Sequence, residues 1–311
     1  MLRILRNIFK IANMNDTLDW KKQIARLEGA YAPSTIKSYH ADMESFAEWC
    51  ASQNVDPLPA DPTTLCNYLL HQAETMSVST VNRRIYSIRR IHRLLGLTDT
   101  TRCEEVHLTL RRIMRSKTIR PKQARGMTRE YLELFLEAQP DTLAGLRNRA
   151  LFSLAYEGLT RRSELPPVLD EDVTMLPDGT MQVLIRRSKA DPFGQGRLVF
   201  TSRRTAAIVN HWRDRRGDGY KYLFIPIYQN KPVNRALSVS AIKKIIRITN
   251  ERLELGDDST GGFSGHSMRV GAAQDLLARG FDIAAIMRAG GWKSVDTVSR
   301  YLEHCYQKIW L

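Results

Sequence analysis

Apolar residues recur at steps of three and four along most of this chain, so helices dominate its predicted elements. In STIKSYHADMESFAEWC (34–50), Ile36, Tyr39, Met43, Phe46 and Cys50 form one stripe behind Ser34, a favoured N-cap residue type. The proline-broken stretch DPLPADPTT (56–64) reads as a loop whose end caps a second helix, LCNYLLHQAE. STVNRRIYSIRRIHRLL (79–95) sets Val81, Ile85, Ile88, Ile91 or His92, and Leu95 on one face, against Arg83, Arg84, Arg90 and Arg93 on the others. A further helix over 103–115 completes a helical first domain, 16–116, behind a flexible arm of residues 1–15. The polar, basic stretch that follows carries Pro121 and Gly126 and reads as a linker, 117–127.

The second domain, 128–311, opens with a capped helix from Thr128 to Ala138. LRNRALFSLAYEGLT then predicts an apolar helix that delivers Arg161 to its C-terminal turn. Alternation in MQVLIRR (181–187) and GRLVFTS (196–202) predicts two strands, joined by SKADPFGQ as a small hairpin with Lys189 near its tip. Helices are predicted at 203–215, 238–253, 267–279, 282–288 and 294–301, with DDSTGG (257–262) a flexible loop. The expected fold is mainly α: a helical N-terminal domain, then an α-rich domain with one small antiparallel sheet.

Composition changes this picture in one respect. The 43% hydrophobic and 26% charged residues are ordinary for a globular protein, but the net charge of +14 is not. Between Met76 and Gly126 thirteen Lys and Arg face only Asp99, Glu104 and Glu105, a local field suited to phosphate and hence to nucleic acid. Four cysteines without C-x-x-C spacing argue for reduced thiols in a cytoplasmic protein rather than a zinc site. No apolar run reaches the roughly 18 residues of a membrane span, and Arg6 and Lys10 interrupt the one N-terminal stretch that faintly resembles a signal peptide.

The candidate chemistry lies in the second domain, in one order and spacing: Arg161 with Glu164 three residues on, Lys189, His266 with Arg269 three residues on, Trp292 and Tyr301. Two arginines can grip a phosphate through their forked donors. A tyrosine can attack it to form a covalent ester. A lysine can protonate the leaving oxygen, while imidazole and indole N–H groups donate to the remaining phosphate oxygens. On residue type alone Arg162 competes with Arg161, and Tyr306 with Tyr301. The sequence has no P-loop and no carboxylate cluster for a metal, so no cofactor is expected.

GLTRRSEL (158–165), RRSK (186–189), SGHSMRVGAAQDLL (264–277) and AIMRAGGWKSVDTVSRYLEH (285–304) resemble the signature boxes of the tyrosine recombinase (phage integrase) family. The resemblance runs from about Ser34 to Tyr301, including the basic helix 79–97, which is similar to a DNA-contacting helix of the family. It implies that Arg161 and Arg269 hold the scissile phosphate, that Glu164 orients and buffers the Arg161 region, and that Lys189 is the general acid for the 5′ oxygen. His266 becomes a phosphate donor and proton acceptor. Trp292 stands where most of the family carries His; its indole N–H donates but cannot shuttle a proton. The family places its tyrosine after the KSVDTVSR stretch, which selects Tyr301 as nucleophile, and its arginine three residues before the glutamate, which selects Arg161.

The resemblance also implies partners. The helix SVSAIKKIIRITNERL (238–253) sits where the family has a major-groove reader, with Ser240, Lys243, Lys244 and Arg247 on its open face and Ile242, Ile245, Ile246 and Ile248 packing inward. Lys37 and Arg83 match DNA-contacting positions in the first domain. The expected target is double-stranded DNA with inverted-repeat half-sites, held by a two-domain clamp and recombined by a homotetramer. Ile309, Trp310 and Leu311 end the chain as an apolar plug that fits docking in a neighbouring subunit. Two rivals stay open: a DNA-binding regulator that does not cleave, and a monomeric relaxing topoisomerase of the same chemistry.

Overall fold

The computed structural model describes residues 19–117, 123–188, 191, 193–256, 261–303 and 305. They divide into two compact units at Pro121/Lys122. Helices make up most of the first and are the main element of the second, which also has small antiparallel sheets.

The first unit contains α1 (Trp20–Ala25), α2 (Pro33–Ser52), α3 (Pro62–Thr75), α4 (Val78–Leu94) and α5 (Glu104–Ser116). Helix α4 is the hub. Its stripe of Val81, Ile85, Ile88 and Ile91 is buried against Met43 and Phe46 of α2 and Leu65, Tyr68 and Leu69 of α3. His92 belongs to this core as well: its Nδ1 bonds the Ile88 carbonyl at 2.9 Å, and its Nε2 accepts from the Ala60 N–H at 3.1 Å. Both ring nitrogens are thereby satisfied, as a buried imidazole requires.

Helix α2 starts earlier than its apolar stripe predicts. Pro33 takes the first helical position, where its fixed φ is an advantage, so Ala32 is the N-cap and Ser34 lies inside the helix. Asp61 caps α3 by accepting from the Thr63 and Thr64 amides at 2.9 and 3.1 Å. The arginines of α4 also differ from the expected open basic face. Arg84 is turned inward, 13% exposed, toward Ser45, Tyr68 and Gln72. Arg83 donates at 2.6 Å to Asp42, whose side chain is 2% exposed, while Arg89, Arg93 and Arg102 gather around Asp99.

The second unit is built around α7 (Leu143–Glu157), which packs against α6 (Arg129–Glu137), α8 (Arg203–Arg216) and α10 (Ser267–Ala278). Helix α6 is capped by a distant side chain rather than by Thr128, since Asp275 of α10 accepts from the Arg129 amide at 2.7 Å. Met127, expected in the linker, is fully buried, and its amide donates to the Ser267 carbonyl at 2.9 Å. The predicted hairpin is β2 (Met181–Ile185) with β3 (Arg197–Thr201), in a register that pairs Val183 with Val199. A short strand β1 (Val173–Met175) extends it on the other edge, and a second hairpin joins β4 (Ile227–Tyr228) to β5 (Lys231–Pro232) through Gln229 and Asn230, both at positive φ. These strands of two or three residues are too short to show alternation, which is why the pattern missed them. Helices α9 (Val239–Arg252), α11 (Ile283–Gly290) and α12 (Val295–Leu302) complete the unit. Of the predicted DDSTGG loop, residues 257–260 lie outside the described part.

Candidate active site

Helix α7 ends at Glu157, so Arg161 is not on its last turn as the apolar pattern predicts. Gly158 caps the helix and Leu159 reverses the chain at φ 45°; Arg161 then opens a 3-10 turn, Arg162–Glu164. The Glu164 side chain folds back over this turn, accepting from the Arg161 amide at 3.0 Å and from Arg161 Nη1 at 2.7 Å. At 1% exposure the carboxylate needs close cationic partners, and it has a second one in Arg197 Nη2 at 3.2 Å.

His266 is the N-cap residue of α10, and Arg269 follows one turn in, on the same side of the helix. Arg269 is fully buried. Its Nη1 donates to the Leu159 carbonyl, while Nε and Nη2 have no partner. The Trp292 ring covers the guanidinium face with its centroid 3.8 Å from Cζ, which leaves the in-plane donors aimed elsewhere. Trp292 is held there by the turn after α11: Gly291 adopts φ 65°, and a Cβ on Gly290 would overlap the indole.

Tyr301 arrives on the last turn of α12. Its hydroxyl lies 2.8 Å from His266 Nε2, with the two rings edge to face at 5.1 Å and Trp292 at 5.8 Å on another side. Gln274 of α10 donates to the Tyr301 carbonyl at 3.0 Å and ties the two helices together. Arg161, Glu164, His266, Arg269, Trp292 and Tyr301 are thus brought into one cluster. Lys189 lies outside the described residues, as do Tyr306 and the apolar tail Ile309–Leu311.

The electrostatics follow from this packing. Burial, reinforced by Arg269 and Arg161, lowers the His266 pKa to about 4, so the ring is neutral at pH 7; in the tautomer protonated on Nδ1, Nε2 accepts from the Tyr301 hydroxyl. Burial and the neighbouring Arg161 and Arg197 press Arg269 down to about 9 against the pull of Glu164, still charged at neutral pH. The cluster is a pocket of positive charge with one buried carboxylate, out of reach of water at the Arg269 donors, where an anion would be held at low dielectric.

Arg197 was not anticipated. It stands outside the boxes, and its contacts are made by residues distant in sequence. A signal was nevertheless available. In β3, Arg197 shares its side with buried Val199 and Thr201, and a charge on the inward side of a strand requires a partner.

Of the candidate DNA-reading residues, Ser240, Lys243, Lys244 and Arg247 form one exposed stripe on α9, over buried Ile242 and Ile246 and half-buried Ile245 and Ile248. Arg247 pairs with Glu251. In the first unit Lys37 is exposed, whereas Arg83 is 46% exposed and anchored to Asp42. All four cysteines are unpaired. Among the described residues no group of His, Cys, Asp and Glu is placed to hold a metal, and no helix is long and apolar enough to cross a membrane.

A histidine bonded to a tyrosine thus stands beside two arginines and an indole, on a helical unit with a small sheet. The sequence profile of the phage integrase family matches residues 125–308. The chain is 30% identical over 292 residues to the recombinase Cre of Escherichia phage P1, covering 88% of this chain and 85% of that protein. It is 29% identical to an integrase/recombinase XerD homolog of Selenomonas ruminantium, covering 97% and 92%. The solved structure of the XerH site-specific recombinase bound to a palindromic difH substrate superposes with a TM-score of 0.65 at 18% identity, covering 88% of this chain and 77% of that one. The chain belongs to the phage integrase family and is a tyrosine recombinase.

Proposed function

We propose that this protein is a site-specific recombinase that cuts and rejoins DNA through a covalent 3′-phosphotyrosine, without metal or ATP. The observation that carries the reading is the 2.8 Å bond from Tyr301 to a neutral His266, beside an Arg269 guanidinium whose Nε and Nη2 are unpartnered. The phenol donates its proton to His266 Nε2 as its oxygen attacks phosphorus. The bond to the 5′ oxygen breaks, and Lys189 supplies the proton that makes the leaving group a free 5′-hydroxyl. Arg161, Arg269 and the Trp292 N–H neutralise the charge that develops on the phosphate. Burial is the main reason the His266 pKa is low; the bound phosphate offsets only the lesser part that comes from the two guanidiniums. A 5′-hydroxyl from a second duplex reverses these steps and completes strand exchange.

Ser240, Lys243, Lys244 and Arg247 read the major groove in this scheme, and Lys37 and Arg83 hold the backbone. The recombining unit is a tetramer on two inverted-repeat sites, acting in the cytoplasm. The test is covalent trapping. Protein is incubated with DNA from its genetic neighbourhood and quenched in detergent, with wild type beside Tyr301→Phe. An adduct in wild type alone is the expected result, and its mapped 3′ end gives the target. Binding without an adduct turns the assignment to a non-cleaving regulator, and an adduct that survives Tyr301→Phe moves the nucleophile.

A further inference from the structure

Arg197 ties together three segments that each carry a candidate catalytic group. Nη1 donates to the Gly158 carbonyl at 3.1 Å and the Ala289 carbonyl at 2.8 Å. Nη2 donates to Gly158 at 3.1 Å, Leu159 at 3.4 Å and Glu164 Oε2 at 3.2 Å. Gly158 and Leu159 begin the turn that presents Arg161, and the Leu159 carbonyl also receives Arg269 Nη1. Ala289 lies in the last turn of α11, the helix from which Trp292 hangs. Arg197 itself pairs with Ile185 at the end of the hairpin whose loop contains Lys189. A Cβ on Gly291 would come within 2.9 Å of Arg197 Cδ, so the glycine turn is shaped around this side chain.

Resting on the phosphotyrosine reading, we infer that Arg197 is a positioning residue: it locks the Arg161 turn, the Trp292 turn and the β2–β3 hairpin into one geometry, and it shares Glu164 so that this carboxylate does not hold Arg161 alone. Without it, a buried carboxylate is left to a single cation, and Arg161 is drawn from the phosphate toward Glu164. The side chain must be arginine, because only a planar fork reaches carbonyls on both sides and a carboxylate together; a lysine ammonium is one point on a flexible stem.

The test uses full-length protein, single-turnover cleavage of a nicked duplex carrying the mapped target, DNA affinity and thermal unfolding. Arg197→Lys, which keeps the charge and much of the packing, is expected to bind DNA as wild type does and to cleave about 10²-fold more slowly, the cost of misplacing reacting groups. Adding Trp292→Phe to Arg197→Lys should cost little beyond the slower single variant, because both act on one geometry. Arg197→Met should lose more, and Glu164→Gln should restore part of it by removing the charge that Arg197 balances. A merely structural arginine would give multiplying losses and no rescue. Wild-type cleavage by Arg197→Lys, or losses that multiply with Trp292→Phe, overturns the inference while the phosphotyrosine reading stands. No adduct with wild-type protein rejects that reading and this inference with it.

Discussion

His266 carries the strongest pH signature at the site. Its pKa lies near 4 because burial disfavours the imidazolium and Arg269 and Arg161 repel it. An unfolded chain titrates this ring near 6.5. Between those values the unfolded state binds a proton that the folded state refuses, so the stability from the neutral ring is complete above about 6.5 and is lost as pH falls toward 4. The full shift corresponds to about 3 kcal/mol. Urea unfolding at pH 7 and pH 4.5 should show a smaller acid loss in His266→Gln than in wild type; equal losses would mean that the ring is not held neutral. The residues that the fold gathers around His266 had been singled out from their order and spacing in the sequence. Arg197 was not, because its role depends on carbonyls of three separate segments. Arg84, placed by the sequence on an open basic face, was misread for a similar reason: its partners Ser45, Tyr68 and Gln72 come from two other helices.

At the level of elements, the turn between α11 and α12 governs whether Trp292 lies on Arg269. Helix α11 ends in two glycines for different reasons: Gly291 takes a left-handed φ, and Gly290 has no room for a side chain under the indole. Gly290→Ala should push the ring off the guanidinium, destabilise the second unit by about 1–3 kcal/mol as overpacking does, and slow cleavage. The check is thermal unfolding beside adduct formation. A variant with unchanged stability and rate would show that the turn yields without disturbing the site. Long helices were legible because their apolar stripes repeat over several turns. Their ends were less so: Pro33 displaced Ser34 as the start of α2, and Asp275 replaced a local cap on α6. Such choices are made by tertiary contacts that no local pattern records.

Across the whole molecule, a net charge of +14 does not translate into fourteen free cations. In the first unit Asp42 and Asp99 engage Arg83, Arg89, Arg93 and Arg102, so the basic block read along the sequence is partly spent inside the fold. This separates the candidate DNA contacts by the kind of loss each should cause. Lys37→Ala removes an exposed charge and should weaken binding to every duplex alike, reducing the salt slope by about one. Lys243→Ala, in the open stripe of α9, should instead relax preference at one position of each half-site, by about 1–3 kcal/mol if the contact is to a base edge. Arg83→Ala should do something neither lysine does. It strips the 2.6 Å partner from a buried Asp42, leaving Ser87 and an Arg84 nitrogen at 3.9 Å. The first unit should lose about 2 kcal/mol, and the double variant Arg83→Ala with Asp42→Asn should regain much of that stability without regaining the phosphate contact. Thermal unfolding and salt-dependent binding on target and scrambled duplexes, measured on the same variants, separate the two effects. If the double variant regains DNA affinity along with stability, Arg83 serves the fold alone and the backbone contact belongs to another residue.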